Sequence, residues 1–121
     1  MIPRFKPYYN YEELLAAIVP SKGTIEKFES EFAAKFECKY GVMFPYGRSG
    51  LFSLFKIWGL NNDEVICPAY TCVVVSHAIV LSGNIPVFVD CQEGSFNMDY
   101  EGIERAITEK TRAIIAVSYT H

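Results

Sequence analysis

The sequence predicts an α/β fold built on a mostly parallel sheet, and three observations carry that expectation. Short apolar runs alternate with stretches whose apolar residues recur at every third or fourth position. Each strand-like run is continuously apolar, as in strands buried on both faces beneath helices. Turn-forming residues, above all glycine and proline, punctuate the boundaries. A sheet of this kind places ligands at the carboxyl ends of its strands.

The elements follow in order. After a prolyl arm with Tyr8, Tyr9 and Tyr11, Leu14, Leu15 and Ile18 share one face of a short helix over residues 11–19, which Pro20 ends. Ser21, Lys22 and Gly23 form a turn, and Thr24 is the expected cap of a longer helix striped by Ile25, Phe28, Phe32 and Phe36. Its acids Glu26, Glu29 and Glu31 lie toward the start and Lys35 and Lys39 toward the end, as a helix dipole favours. Gly41 is the expected terminator. Residues 42–44 read as a short strand and 45–50 as a loop. A helix follows with Leu51, Leu54, Phe55 and Trp58 at core spacing.

Asn61, Asn62 and Asp63 turn the chain into a strand at 64–67. Residues 68–71 lead to a helix that Gly83 closes. The β-branched run Val73, Val74, Val75 fits a strand as well, but Val74, Ala78 and Leu81 repeat at helical spacing, so a helix is expected. Residues 85–89 form a buried strand with Asp90 at its carboxyl end. Asp99 opens a helix carrying Ile103, Ala106 and Ile107, and 112–117 begins a fourth strand.

Composition narrows the function classes. The 121 residues leave room for one domain at most, and 50% hydrophobic against 21% charged is ordinary for a folded chain. The net charge of −3, from 14 acids and 11 bases, is spread without a basic run, which argues against nucleic acid as a partner. The longest apolar stretch, 73–81, is broken by Ser76 and His77 and is far below the ~20 residues that span a bilayer, so no membrane is expected. The charged, proline-broken start is no signal peptide, and the chain reads as cytoplasmic. Cys38, Cys67, Cys72 and Cys91 lack zinc-ligand spacing and are expected to be free, mostly buried thiols of a reducing compartment.

The most informative segment is Phe44-Pro45-Tyr46-Gly47-Arg48-Ser49-Gly50-Leu51. Glycines allow a tight turn and close approach to a ligand, and the first amides of the helix beyond have no internal partner. With the helix dipole and the Ser49 hydroxyl they form a candidate phosphate cradle, to which Arg48 adds its amide or its guanidinium. Such turns also serve purely to fit the chain together, and both readings stand at this point. No lysine follows the glycine as in a Walker loop, and GxGxxG is absent.

Four segments, "GRSGLFSLFKIWGL", "DEVICPAYT", "IPVFVD" and "NMDYEGIERAITEKTRAII", occur in an order and spacing that resemble the DegT/DnrJ/StrS sugar aminotransferases. The resemblance covers residues 24 to 116. It implies an incomplete large domain of the fold type I pyridoxal-phosphate-dependent transferase fold, preceded by an arm and short helix at 1–23. It further implies pyridoxal 5'-phosphate as cofactor, a homodimer, and transfer of an amino group, typically from glutamate, to a nucleotide-linked keto-sugar. Gly47, Arg48 and Ser49 would cover the cofactor phosphate. The family commonly stacks an aromatic ring on the pyridine at the position that is Cys72 here, and a thiol offers no such face. Either Tyr70 takes over, or the pyridine is held from its other side, or Tyr70 and Cys72 simply pack under a loop.

The Schiff-base lysine and the acid that pairs with the pyridine nitrogen are expected downstream. Lys6, Lys22, Lys27, Lys35, Lys39, Lys56 and Lys110 sit on an arm, a turn or solvated helix faces, so the chain alone is expected to be inactive. Asp90 reads as a turn or capping residue, His77 as a packing or surface residue, and Glu101, Glu104 and Glu109 as solvated. The chain is expected to be an N-terminal fragment. Its ending, residues 117–121, matches one reading frame of a transposon-type sequencing adaptor and is expected to be such a tail. Three other readings stay open. They are a sister dehydratase with histidine at the lysine position, a non-enzymatic phosphate-binding α/β module, and an inert fragment with bare sheet edges.

Overall fold

The computed structural model describes residues 10–19 and 22–117. The prolyl arm, Pro20 and Ser21 of the first turn, and residues 118–121 of the expected tail lie outside the described residues. The chain divides into two compact units, Met1–Met43 and Phe44–His121.

In the first unit, α1 (Tyr11–Ile18) begins with a reciprocal cap. The Asn10 side chain accepts from the amides of Glu12 and Glu13 at 2.7 and 3.3 Å, while the Glu13 carboxylate accepts from the Asn10 amide at 2.7 Å. The second helix, α2 (Thr24–Lys35), is entered through Gly23 rather than capped by Thr24. Gly23 has φ +80°, a conformation that favours glycine, and Thr24 is already inside the first turn. Along α2 the aromatic stripe stacks on itself, with Phe28–Phe32 centroids at 5.6 Å and Phe32–Phe36 at 4.8 Å. These rings stay about half exposed, and only Ala33 is buried.

Gly41 does not terminate α2. Glu37, at φ +55°, occupies the left-handed position, with its amide donating to the carbonyl of Ala34 and that of Cys38 donating to Ala33. This is the paired 5→2 and 6→1 closure of a helix end. Gly41 instead permits a close approach, since a Cβ there would lie 2.6 Å from the Glu29 carbonyl oxygen. Residues 42–44 form no strand. Met43 donates its amide to the Glu29 carboxylate at 2.7 Å, and among the described residues no strand pairs with the run.

The second unit holds α3 (Gly47–Ile57), β1 (Glu64–Pro68), α4 (Val74–Leu81), β2 (Ile85–Val89), α5 (Tyr100–Ala106) and β3 (Thr111–Ile114). The sheet is parallel, in the order β2-β1-β3, with three strands among the described residues where four were expected. Val73–Val75 enter a helix, as the helical spacing predicts. The buried face is Val75, Ala78 and Ile79, however, and Leu81 is exposed.

Register assigns the two faces of the sheet. Val65 and Cys67 align with Pro86 and Phe88 on one side and Val65 with Ala113 on the other, so these side chains share a face. On that face Val65 and Cys67 pack with Phe55 and Leu60 from α3 and its exit, and with Val75 and Ile79 of α4. Burying side chains of this size contributes roughly 1.5–3 kcal/mol each. The opposite face receives α5, whose Gly102 lies so close to Val89 that a Cβ would stand 2.9 Å from its methyl carbon. Central β1 is buried on both faces. By contrast β2 is not the fully buried strand expected, because it is an edge and its Ile85 and Phe88 are exposed. Trp58, expected in the core, is also exposed.

A buried polar staple closes the turn before β2. Asn84 accepts from the Asp63 amide at 3.2 Å and donates to the Ser82 hydroxyl at 2.9 Å, while Ser82 donates to the Ile79 carbonyl at 2.7 Å. Every buried side-chain polar atom among the described residues has a partner, so this network adds order without an unsatisfied group.

Candidate functional site

The helix α3 begins at Gly47, four residues before the first core leucine, so most of the expected loop at 45–50 is its first turn. Tyr46, extended at φ −144°, stands at the cap position and gives no side-chain hydrogen bond. Its carbonyl accepts from the amides of Ser49 at 3.0 Å and Gly50 at 3.3 Å. The amides of Gly47 and Arg48 find no acceptor among the described residues. They are the unpaired donors that every helix head carries, at the positive end of an 11-residue dipole. The Ser49 hydroxyl likewise has no partner among the described residues, whereas its amide is turned inward.

The surroundings suit an anion. Gly47 is exposed and a Cβ there would meet nothing within 4 Å. The Arg48 guanidinium lies 4.9 Å from the centroid of the Tyr46 ring, which holds a positive charge back at the helix head. Arg48 and Ser49 line a cavity of about 380 Å³ together with Phe52, Ser53, Ala78 and Leu81. Chain periodicity marked Phe52 and Ser53 only as helix positions, and nothing in the sequence set them against α4. The donors fit the phosphate end of a phosphorylated cofactor. They do not fit its carbonyl end, because every lysine among the described residues is exposed and none lines this cavity.

Tyr70 and Cys72 stand apart from that cavity, on the segment that leaves β1. The Ala69 amide donates to the Val89 carbonyl at 2.8 Å, tying this segment to the end of β2. The Tyr70 ring packs on Phe96, with centroids 5.3 Å apart and planes at 31°. Cys72 is exposed, and its carbonyl accepts from the Val75 amide. The structure therefore brings Arg48 and Ser49 together around one cavity and places Tyr70 with Phe96, a residue that periodicity did not single out. Asp90 caps locally, as its sequence position predicts. Its carboxylate accepts from the Cys91 amide at 2.7 Å and its carbonyl from the Asp99 amide at 2.9 Å. His77 is exposed on α4.

All four cysteines are free, but only Cys67 is fully buried, while Cys38 and Cys72 are exposed. Burial pushes the Cys67 thiol above its ordinary pKa. Among the described residues no group of histidine, cysteine or acidic side chains could hold a metal ion, and no helix is long and apolar enough to cross a membrane.

A parallel α/β sheet preceded by a helix whose head offers open amides defines part of the large domain of a fold type I pyridoxal-phosphate-dependent transferase. Comparison with known proteins agrees. The sequence model of the DegT/DnrJ/EryC1/StrS aminotransferase family matches residues 12–120. A GDP-perosamine synthase of Escherichia coli O157:H7 is 36% identical over 93% of this chain and 31% of its own length. A putative sugar aminotransferase of Streptococcus pneumoniae, solved in its PMP form, superposes with a TM-score of 0.87 at 27% identity, over 96% of this chain and 31% of that one. A GDP-4-keto-6-deoxy-D-mannose-3-dehydratase of E. coli superposes at 0.72 and 25% identity, over 87% of this chain and 29% of its own. The chain belongs to the DegT/DnrJ/EryC1/StrS aminotransferase family. It spans about a third of the length of the relatives it matches.

Proposed function

We propose that this chain supplies the phosphate-binding part of a pyridoxal-phosphate-dependent aminotransferase that acts on nucleotide-linked keto-sugars. The observation that carries the reading is the pair of amides at Gly47 and Arg48 that have no partner among the described residues, beside a Ser49 hydroxyl that likewise has none there. Family membership and likeness to a GDP-perosamine synthase support it. Bound there, the cofactor would supply an electron sink for amino-group transfer. The chain's own residues bind and orient. The two amides and the Ser49 hydroxyl hold phosphate oxygens, and the Arg48 guanidinium offsets their charge.

Amino-group transfer needs a lysine amine to carry the proton at the substrate carbon; among the described residues every lysine is exposed and none lines the cavity, which supports a chain that does not turn over alone. The same reading makes the parent a cytoplasmic homodimer, with the unpaired cysteines consistent with a reducing compartment.

The test is a titration of the chain with pyridoxamine 5'-phosphate and with inorganic phosphate, followed through the amide resonances of Gly47 and Arg48. Saturable shifts at those two amides are expected. Shifts confined to surface lysines would overturn the reading. Borohydride treatment in the presence of pyridoxal phosphate should leave no single-site lysine adduct, and such an adduct would refute inactivity. The likeness to the E. coli dehydratase favours a second reading, a sugar dehydratase using the same phosphate site. The two readings differ at the lysine position, where histidine would mark the dehydratase.

A further inference from the structure

The ring of Phe44 lies on a helix position that has no side chain. An apolar residue ahead of a helix often packs on the side chain at the fourth helical position, which fixes the angle at which the chain enters. In α3 that fourth position is Gly50. A Cβ there would stand 3.3 Å from Cδ2 of Phe44 and 3.7 Å from its Cγ, so the ring covers bare backbone and occupies the space a side chain would take. Phe44 is accordingly the better covered of the two rings ahead of α3, 39% exposed against 61% for Tyr46.

The contact bears on the open amides. Gly47 and Gly50 are three positions apart and lie on one side of the first turn. The ring closes the Gly50 end of that side, while a Cβ at Gly47 would meet nothing within 4 Å. Between ring and helix, Pro45 has a fixed φ and narrows the conformations open to Phe44. Anchoring Phe44 therefore constrains Tyr46, whose carbonyl accepts from the amides of Ser49 and Gly50 at 3.0 and 3.3 Å. Those two bonds set which amides of the helix head are used internally. Gly47 and Arg48 have no partner among the described residues.

We infer that Phe44 is a positioning residue of the phosphate site and that Gly50 is its seat. The ring, resting on Gly50, fixes the lead-in to α3 and holds the amides of Gly47 and Arg48 in the arrangement that meets an anion. The inference rests on the proposed function, which gives those two amides a phosphate to bind. Phe44 acts through the backbone of the lead-in and not by touching the anion. A site held in this way loses affinity when its support is loosened, although every direct donor is still present.

The affinity of the chain for inorganic phosphate is measured from the amide resonances of Gly47 and Arg48, beside its urea midpoint. Phe44→Ala should weaken phosphate binding about three- to tenfold, within the coupling range of residues in direct contact. Phe44→Tyr keeps the ring and should stay within about twofold of wild type. Adding Gly50→Ala to Phe44→Ala separates positioning from stability. Alanine is the better helix former and meets no ring in that background, so the double variant should regain a higher urea midpoint. Its phosphate affinity should stay low. If Phe44→Ala loses helix content in circular dichroism, Phe44→Leu carries the test, with an expected loss of about two- to fivefold. Affinity that recovers together with the midpoint in the double variant overturns the inference, since Phe44 would then only stabilise the chain. Wild-type affinity in the alanine or leucine variant also overturns it, and leaves the phosphate site itself standing. Absence of saturable shifts at Gly47 and Arg48 in the wild type removes the proposed function, and the inference with it.

Discussion

The guanidinium of Arg48 lies over the ring of Tyr46, 4.9 Å from its centroid, across the cap of α3. The contact keeps a long, exposed cation beside the open amides of Gly47 and Arg48, where it would otherwise sweep freely through solvent. Tyr46→Leu should therefore weaken phosphate binding about two- to fivefold without unfolding the chain, since an exposed cation–π pair is worth about 0.5–1 kcal/mol. Calorimetric titration with inorganic phosphate at low salt reads the change. An undiminished affinity would show that Arg48 needs no such support.

Gly47→Ala separates folding from binding. At the first position of a helix alanine is favoured over glycine, by up to about 1 kcal/mol. A Cβ at Gly47 meets nothing within 4 Å. Denaturant unfolding should show equal or higher stability. Phosphate affinity should fall, because the added methyl would stand where the proposed site admits the anion. Loss of stability would mean that the space beside Gly47 is occupied in solution.

Gly41→Ala is expected to do the reverse. Its Cβ would fall 2.6 Å from the Glu29 carbonyl oxygen, which is fixed backbone, so the segment must move off α2. A cost of about 1–3 kcal/mol follows, read as a lower urea midpoint for the first unit.

The Cys67 thiol gives a signed pH dependence. Its folded pKa is raised by burial, so its contribution to stability is whole below the unfolded thiol value of about 8.5 and is lost as pH climbs through the folded value. Stability should decline in mildly alkaline solution, and Cys67→Ala should flatten that decline even though it lowers stability at neutral pH. Labelling with a thiol reagent should modify Cys38 and Cys72 readily and spare Cys67 until the chain unfolds.

The central strand and its two neighbours were legible because 64–67 and 85–89 are bounded apolar runs and each is followed by a helical period. The exposure of Phe88 was not, since apolarity does not say which strand is an edge. Residues 42–44 read as a strand for the same reason, but a strand exists only against a partner, and the local run cannot supply one. At α2 the nearby Gly41 drew the expected terminator away from Glu37, because left-handed closure is commonest at glycine and a carboxylate there leaves no signature. The candidate cradle was legible in kind from Gly47, Arg48 and Ser49. Its start was placed too late, since two glycines and a serine read as loop whether or not a helix turns through them. The Tyr70–Phe96 pair joins positions far apart in sequence with no shared period, so only the fold reveals it.

The middle position of β1 has a kinetic consequence. The Glu64 amide donates to the Lys110 carbonyl and the Ile115 amide to the Ile66 carbonyl, contacts between residues more than forty positions apart. During synthesis this row of hydrogen-bonding groups must wait until residues 110–115 have left the ribosome. Until then the most deeply buried of the three described strands has one flank open to any other extended chain, and its assembly is slow because the contacts that complete it are distant.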